Sequence, residues 1–209
     1  MKFLDYIKES FDQSMIQYDH SMKSQHWKKY DNRKDLFNIE SLKNFRKNNL
    51  SEGLDDIAPN LENLKLSLKL IIDKCGKEFV FNNLSKNNIG SNEFYMNFDD
   101  CFIDLNQLFA INFLYEIKEN CQLHVNDMKI ICEIGGGYGQ LAKIIRQNLN
   151  AKILLIDLPE ANFMSTYFLT ENFPDLKFLL YSKTNQQFID EKIIKDYDII
   201  ILPPWMELN

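Results

Sequence analysis

Apolar residues at Phe3, Leu4, Ile7, Phe11 and Met15 recur close to every 3.6 positions, which predicts an amphipathic helix over residues 1–20. A polar stretch rich in Asn and Lys follows to about position 56. Leu61, Leu64, Leu68 and Ile71 then fall on one helical face, with Pro59 near the first turn and Gly76 as the stop. The same segment also alternates at Leu64, Leu66, Leu68 and Leu70, as a strand would. NNIGSNE (87–93) is a loop. IDLNQLFAINFLYEIKEN (103–120) is long, apolar and free of proline, which predicts a largely buried helix.

From Met128 the pattern changes. KIICEIG (129–135) is a short apolar run ending in glycines and predicts a buried strand. GQLAKIIRQNL then sets Leu141, Ile144, Ile145 and Leu149 on one helical face, and KILLID (152–157) is a second buried strand. Pro159 opens a helix that stops before Pro174. LKFLLYS (176–182) and YDIIIL (197–202) are a third and a fourth strand, with a short helix, QQFIDEKIIKD (186–196), between them. Strands alternating with helices specify parallel βαβ units. The fold class is therefore α/β: the first four strands of a Rossmann-like parallel sheet, preceded by an α-helical N-terminal region. Residues 1–125 form the helical region and 126–209 the Rossmann-like domain.

Composition narrows the function. The 209 residues are 45% hydrophobic and 13% aromatic, enough for a sizeable core. With 24 Lys+Arg against 30 Asp+Glu the chain is acidic, which speaks against general nucleic-acid binding. No apolar run approaches the ~20 residues of a membrane span. Asp5 and Glu9 interrupt the stretch a signal peptide would need, so a cytoplasmic location is expected. Cys75, Cys101, Cys121 and Cys132 form no CxxC pair and only three histidines accompany them, so free thiols are expected and no metal site.

The densest chemistry is ICEIGGGYGQLAKII, a strand, a glycine turn and a helix. Ligands of doubly wound folds bind at the carboxyl ends of such strands. A dinucleotide fingerprint needs G-x-G-x-x-G, but Gln140 stands at the third glycine. The pattern that fits is acid-x-G-x-G-x-G, with Glu133, Gly135, Gly136, Gly137 and Gly139. It resembles the first motif of class I S-adenosylmethionine methyltransferases. Asp157 closes the second strand 22 positions after Gly135, where a carboxylate can accept hydrogen bonds from both ribose hydroxyls. Dinucleotide binding, or a turn with no ligand, are the competing readings of the glycines.

EIGGGYGQLAKII followed by LLIDLPEANFMSTYFL, with its DLPE turn (157–160), resembles a bacterial family of sugar O-methyltransferases often encoded with surface-polysaccharide genes. HWKKY (26–30) and NFRKNNLSEGLDD (44–56) are similar to upstream stretches of that family, as is the LPPW stretch near the end. The resemblance covers roughly residues 85–209 well and the first part loosely. It implies methyl transfer from S-adenosylmethionine to the hydroxyl of a sugar or of a nucleotide- or lipid-linked saccharide, in O-antigen- or capsule-type synthesis. It further implies that Glu133, Gly135, Gly137 and Gly139 line the methionine end of the cofactor, Asp157 its ribose and Leu158 its adenine.

Other features carry less. LPPW (202–205) lacks an amine-orienting group, because Leu202 stands where amino-methyltransferases place Asp or Asn; Trp205 is expected beside the cofactor pocket. His20, His26 and His124 are candidate bases by residue type alone, so no catalytic base is assigned. Lys23, Lys28, Lys29, Arg33, Lys34, Lys43, Arg46 and Lys47 form a basic cluster, read first as a solvated face and second as an anion contact led by Arg46. The enzymes of this class carry further strands after the fourth, so the chain is expected to be a truncated sheet with an apolar edge at YDIIIL, open to homo-oligomer contacts. The alternatives to an active enzyme are a non-catalytic remnant or partner subunit and, third, an NAD-dependent enzyme.

Overall fold

The computed structural model describes residues 2–19, 23–28, 37–47, 60–120, 129–181 and 188–208. Helix α1 (Lys2–Gln17) buries Ile7 and Phe11, two members of the predicted stripe. Short helices α2 (Gln25–Lys28) and α3 (Ile39–Lys43) follow. The ambiguous leucine segment is helical, α4 (Leu61–Cys75). Its ends explain the choice. Asn60 Oδ1 accepts from the Glu62 amide at 2.9 Å, and the Gly76 amide, at φ +86°, closes the last turn on the Ile72 carbonyl. The cap is thus Asn60; Pro59 lies outside the described residues. Gly76 also starts α5 (Lys77–Asn83).

A hairpin that the hydrophobic pattern did not suggest, β1 (Met96–Phe98) and β2 (Cys101–Ile103), turns through Asp99 and Asp100, both at positive φ. Asp104 then caps α6 (Leu105–Asn120), its Oδ1 accepting from the Gln107 amide at 2.9 Å. This helix is less buried than expected: Leu108, Ile111 and Leu114 face the core, while Phe109 and Phe113 are exposed on its other side.

The second half alternates β3 (Ile130–Ile134), α7 (Gln140–Asn148), β4 (Lys152–Ile156), α8 (Pro159–Asn172), β5 (Phe178–Leu180), β6 (Phe188–Ile189), α9 (Glu191–Asp196), β7 (Ile199–Leu202) and β8 (Glu207–Leu208). The helix expected over 186–196 is shorter and is preceded by β6. The main sheet is parallel, in the order β3-β4-β7-β5. The protein is therefore α/β with a Rossmann-like parallel sheet and a helical N-terminal region. If the glycine strand is counted first and the aspartate strand second, β7 stands where the third strand of a 3-2-1 half-sheet stands. The strand read as the fourth is thus interior, and among the described residues the outer strands are β3 and β5.

Register fixes the two faces. Ile153, Leu155, Ile199, Ile201, Phe178 and Leu180 join the core shared with α1, α6, α7 and α8. Leu154, Leu179, Ile200 and Leu202 form a smaller core with Ile193, Ile194 and Met206. The expectation of a buried β3 fails. Ile130 and Ile134 are 46% and 81% exposed and Cys132 is exposed too, because these side chains sit on the second face, beyond the reach of α9. An apolar run signals burial only where neighbours cover both faces. The two halves of the chain share one core: Phe11 packs 4.9 Å from Phe163, and Phe45 packs 5.5 Å from Tyr138.

Candidate functional site

The glycine turn joins β3 to α7. Gly137 and Gly139 have φ of +59° and +90°, a backbone region in which a Cβ is strained. Gly136 is constrained by packing instead. A Cβ there would stand 2.3 Å from Leu155 Cδ1 and 3.0 Å from Glu133 Cδ. The one side chain within the run, Tyr138, points inward. It is buried, with its ring 5.5 Å from Phe45 and 5.1 Å from Phe168. Tyr138 therefore anchors a turn that carries no other side chain of its own.

Asp157 follows β4 and faces this turn. Its Oδ2 accepts from the Gly137 amide at 2.8 Å and its Oδ1 from the Leu158 amide at 2.7 Å. The aspartate expected at a ribose thus also fixes the turn. Burial pushes its pKa up, and the two amides pull it back. Asn162 ties α8 to the strand ends, donating to the carbonyls of Asp157 and Leu202 at 2.8 and 2.9 Å.

Glu133 lies on the helix-covered face of β3, and its Oε2 is buried with no hydrogen-bond partner. Burial first, and then the charge of Asp157, push it up to about 7, with the Ala142 amide opposing. Because this lies above the ordinary 4.5, the folded state holds a proton that the unfolded chain has released. The resulting stability is fully present below pH 4.5 and is lost as pH rises to about 7. Glu133→Gln, which stays neutral, is expected to be more stable than wild type at pH 8 by on the order of 3 kcal/mol. The gap should close as pH falls toward 4.5. Thermal melts of both proteins across pH check this; a gap independent of pH would contradict the buried, unmatched carboxyl.

A cleft of about 250 Å³ opens between the turn and α6. Gly135, Gly136, Gly137 and Tyr138 form one wall. Asn106, Phe109, Ala110 and Phe113 form the other, with Gln140 and Leu141 at the start of α7. Gln140 is only 7% exposed, and its Nε2 has no hydrogen-bond partner. An unmatched buried donor costs about 1–3 kcal/mol. The residue lines the cleft but the Nε2 itself is closed off from water; what favours an electron-rich group in the cleft is the start of α7, with its free amides and the positive end of the helix. Of the expected cofactor residues, Gly135, Gly136 and Gly137 line this cleft. Glu133, Gly139, Asp157 and Leu158 stand behind or beside it. Sequence reasoning misses Gln140, Phe109 and Phe113. In the pattern Gln140 is only an absent third glycine, and the two phenylalanines, four positions apart on one helix, look like core.

The other candidates sit elsewhere. Trp205 stacks on Tyr18 at 5.5 Å and meets Tyr181 edge-on, away from the cleft lining. Lys23 is buried against Glu160 and the Tyr18 ring, and Lys47 pairs with Glu93. Lys28 and Lys43 are exposed. The Arg46 side chain is 6% exposed: Nη1 donates to Asp104 Oδ2 at 3.0 Å and the guanidinium lies 4.9 Å from the Tyr138 ring centre. It is spent inside the protein rather than offered to an anion. Lys143 is buried in α7, donates to Ser85, and is pulled down to about 8 by burial, with the Asp104 charge opposing. Lys29, Arg33, Lys34, Cys121, His20 and His124 lie outside the described residues, as does the side chain of His26. Among the described residues no cluster of His, Cys, Asp and Glu could hold a metal ion, and no helix is long and apolar enough to cross a membrane. Comparison of the chain with protein-family models, with curated proteins and with solved structures finds no match.

Proposed function

We propose that the chain binds S-adenosylmethionine in the glycine-turn cleft and is a methyltransferase acting on a hydroxyl of a sugar or of a nucleotide- or lipid-linked saccharide in surface-polysaccharide synthesis. The observation that carries the cofactor assignment is the cleft wall of Gly135–Gly137 at the start of α7, held by Asp157 Oδ2 on the Gly137 amide. It suits a carboxylate-bearing ligand. It fits a dinucleotide less well, because Gln140 stands where that fingerprint keeps a small residue for close packing of the helix on the strand. The acceptor assignment rests on the resemblance of the sequence alone.

The residues present fit the cofactor in kind. The first amides of α7 would hold its carboxylate. Asp157 stands beneath the turn, with Glu133 beside it as a buried carboxyl that holds its proton up to about pH 7. Phe109 and Phe113 offer an apolar wall that excludes water from one side. When bound, the cofactor supplies an electrophilic methyl group. The protein's share is to align the acceptor hydroxyl with that methyl and to receive the hydroxyl proton. No described residue is assigned to that proton.

The bare face of β3 beside the turn favours a second reading, cofactor binding without turnover in this chain alone. Calorimetric titration with S-adenosylhomocysteine, with NADH as the comparison, tests the cofactor. Saturable binding of the first alone is expected. Binding of NADH alone, or of neither by folded protein, would remove the proposal.

A further inference from the structure

The two walls of the cleft come from distant parts of the chain, and one side chain reaches both. Asp104 begins α6, the outer wall; its Oδ1 caps the helix and its Oδ2 holds Arg46 at 3.0 Å. Tyr138 belongs to the glycine turn, the inner wall, and the same guanidinium lies over its ring at 4.9 Å. Arg46 is itself fixed from behind. Its amide donates to the Gly90 carbonyl at 2.9 Å, and Asn44 accepts from the Ser91 hydroxyl at 2.8 Å. Phe45 packs against Gly90 so closely that a Cβ there would come within 2.4 Å of the ring.

We propose that Arg46 is a positioning residue that ties α6 to the glycine turn through Asp104 and Tyr138 and so sets the width of the ligand cleft between them. The geometry is specific to arginine. A planar guanidinium can hydrogen-bond a carboxylate along its edge and stack on an aromatic ring with its face, whereas a lysine ammonium has no such face. Both partners are nearly buried, so water competes little for either contact. The ion pair and the ring contact act on different walls, so loss of the arginine removes one tie between them, in addition to the packing of α6 on α7, without opening the sheet. The NFR stretch (44–46) is then a brace for the cofactor turn, not an acceptor site. The consequence for ligand affinity rests on the cofactor assignment above; the consequence for the turn does not.

The test is hydrogen exchange on the ligand-free protein, followed by titration with S-adenosylhomocysteine, for wild type, Arg46→Ala and Arg46→Lys. In Arg46→Ala, amides of residues 135–141 and of the first turn of α6 should exchange at least ~10-fold faster, while those of β4 and β7 keep their protection. Affinity should fall at least ~10-fold, with Arg46→Lys between the two. Unchanged exchange in the turn would overturn the proposal. So would a uniform rise that includes β4 and β7, which is what a merely stabilising residue would give. Should Arg46→Ala not fold, Arg46→Lys is judged by the same two criteria. If the turn responds as expected but wild type binds no S-adenosylhomocysteine, the brace stands and the cofactor assignment falls.

Discussion

Gly137→Val is expected to reduce affinity for S-adenosylhomocysteine by at least ~100-fold, on the order of 3 kcal/mol, while leaving the sheet folded. Three features of the residue combine. Its φ of +59° is one that a β-branched residue adopts only under strain of about 1–3 kcal/mol. Its amide is held by Asp157 Oδ2 at 2.8 Å, so a backbone shift that relieves the strain breaks this bond. It also lines the cleft that the ligand is proposed to fill, so an added side chain there crowds the ligand. Both escapes damage the same site. Calorimetry on protein whose circular dichroism matches wild type would measure the loss. Undiminished binding would show that the ligand lies elsewhere.

Phe45→Ala should be the most damaging of the core truncations near the site, at about 3–5 kcal/mol. For a chain of this size that lowers the melting temperature by roughly 10 °C. Phe45 is 0% exposed and touches Tyr138, Tyr167 and Phe168, which belong to the turn and to α8. Its removal leaves a cavity whose walls, the glycine turn, α8 and the segment at Gly90, are anchored separately and cannot collapse together. Phe113→Ala, 59% exposed on the cleft wall, is the control and should hardly move the midpoint in denaturant. Equal effects of the two would mean that the Phe45 pocket refills.

Local signals carried much of this architecture. Pro159 opens α8, Gly76 closes α4, and the βαβ alternation gives the parallel sheet. Sheet order was not legible, because KIICEI and YDIIIL are equally apolar and nothing in either says which one lies at an edge. The site was half legible. Glycines at fixed spacing announce a turn, and a carboxylate at the end of the next strand announces its partner. Arg46 could not be read this way: in NFRK it looks like one of several surface cations, and the carboxylate that buries it is 58 positions away. Tyr138 was hidden for a related reason, since an aromatic among glycines does not reveal which side of the turn it takes.

The packing of α1 on α8 also sets a schedule for the nascent chain. Phe11 finds its place against Phe163 and Phe37. At about 5–20 residues per second, the roughly 150 residues between Phe11 and Phe163 take on the order of ten to thirty seconds to synthesise. Through that interval the apolar face of the first helix leaves the ribosome with its main partner not yet made. Until one of the later helices arrives to cover it, that face must be sheltered from other apolar surfaces.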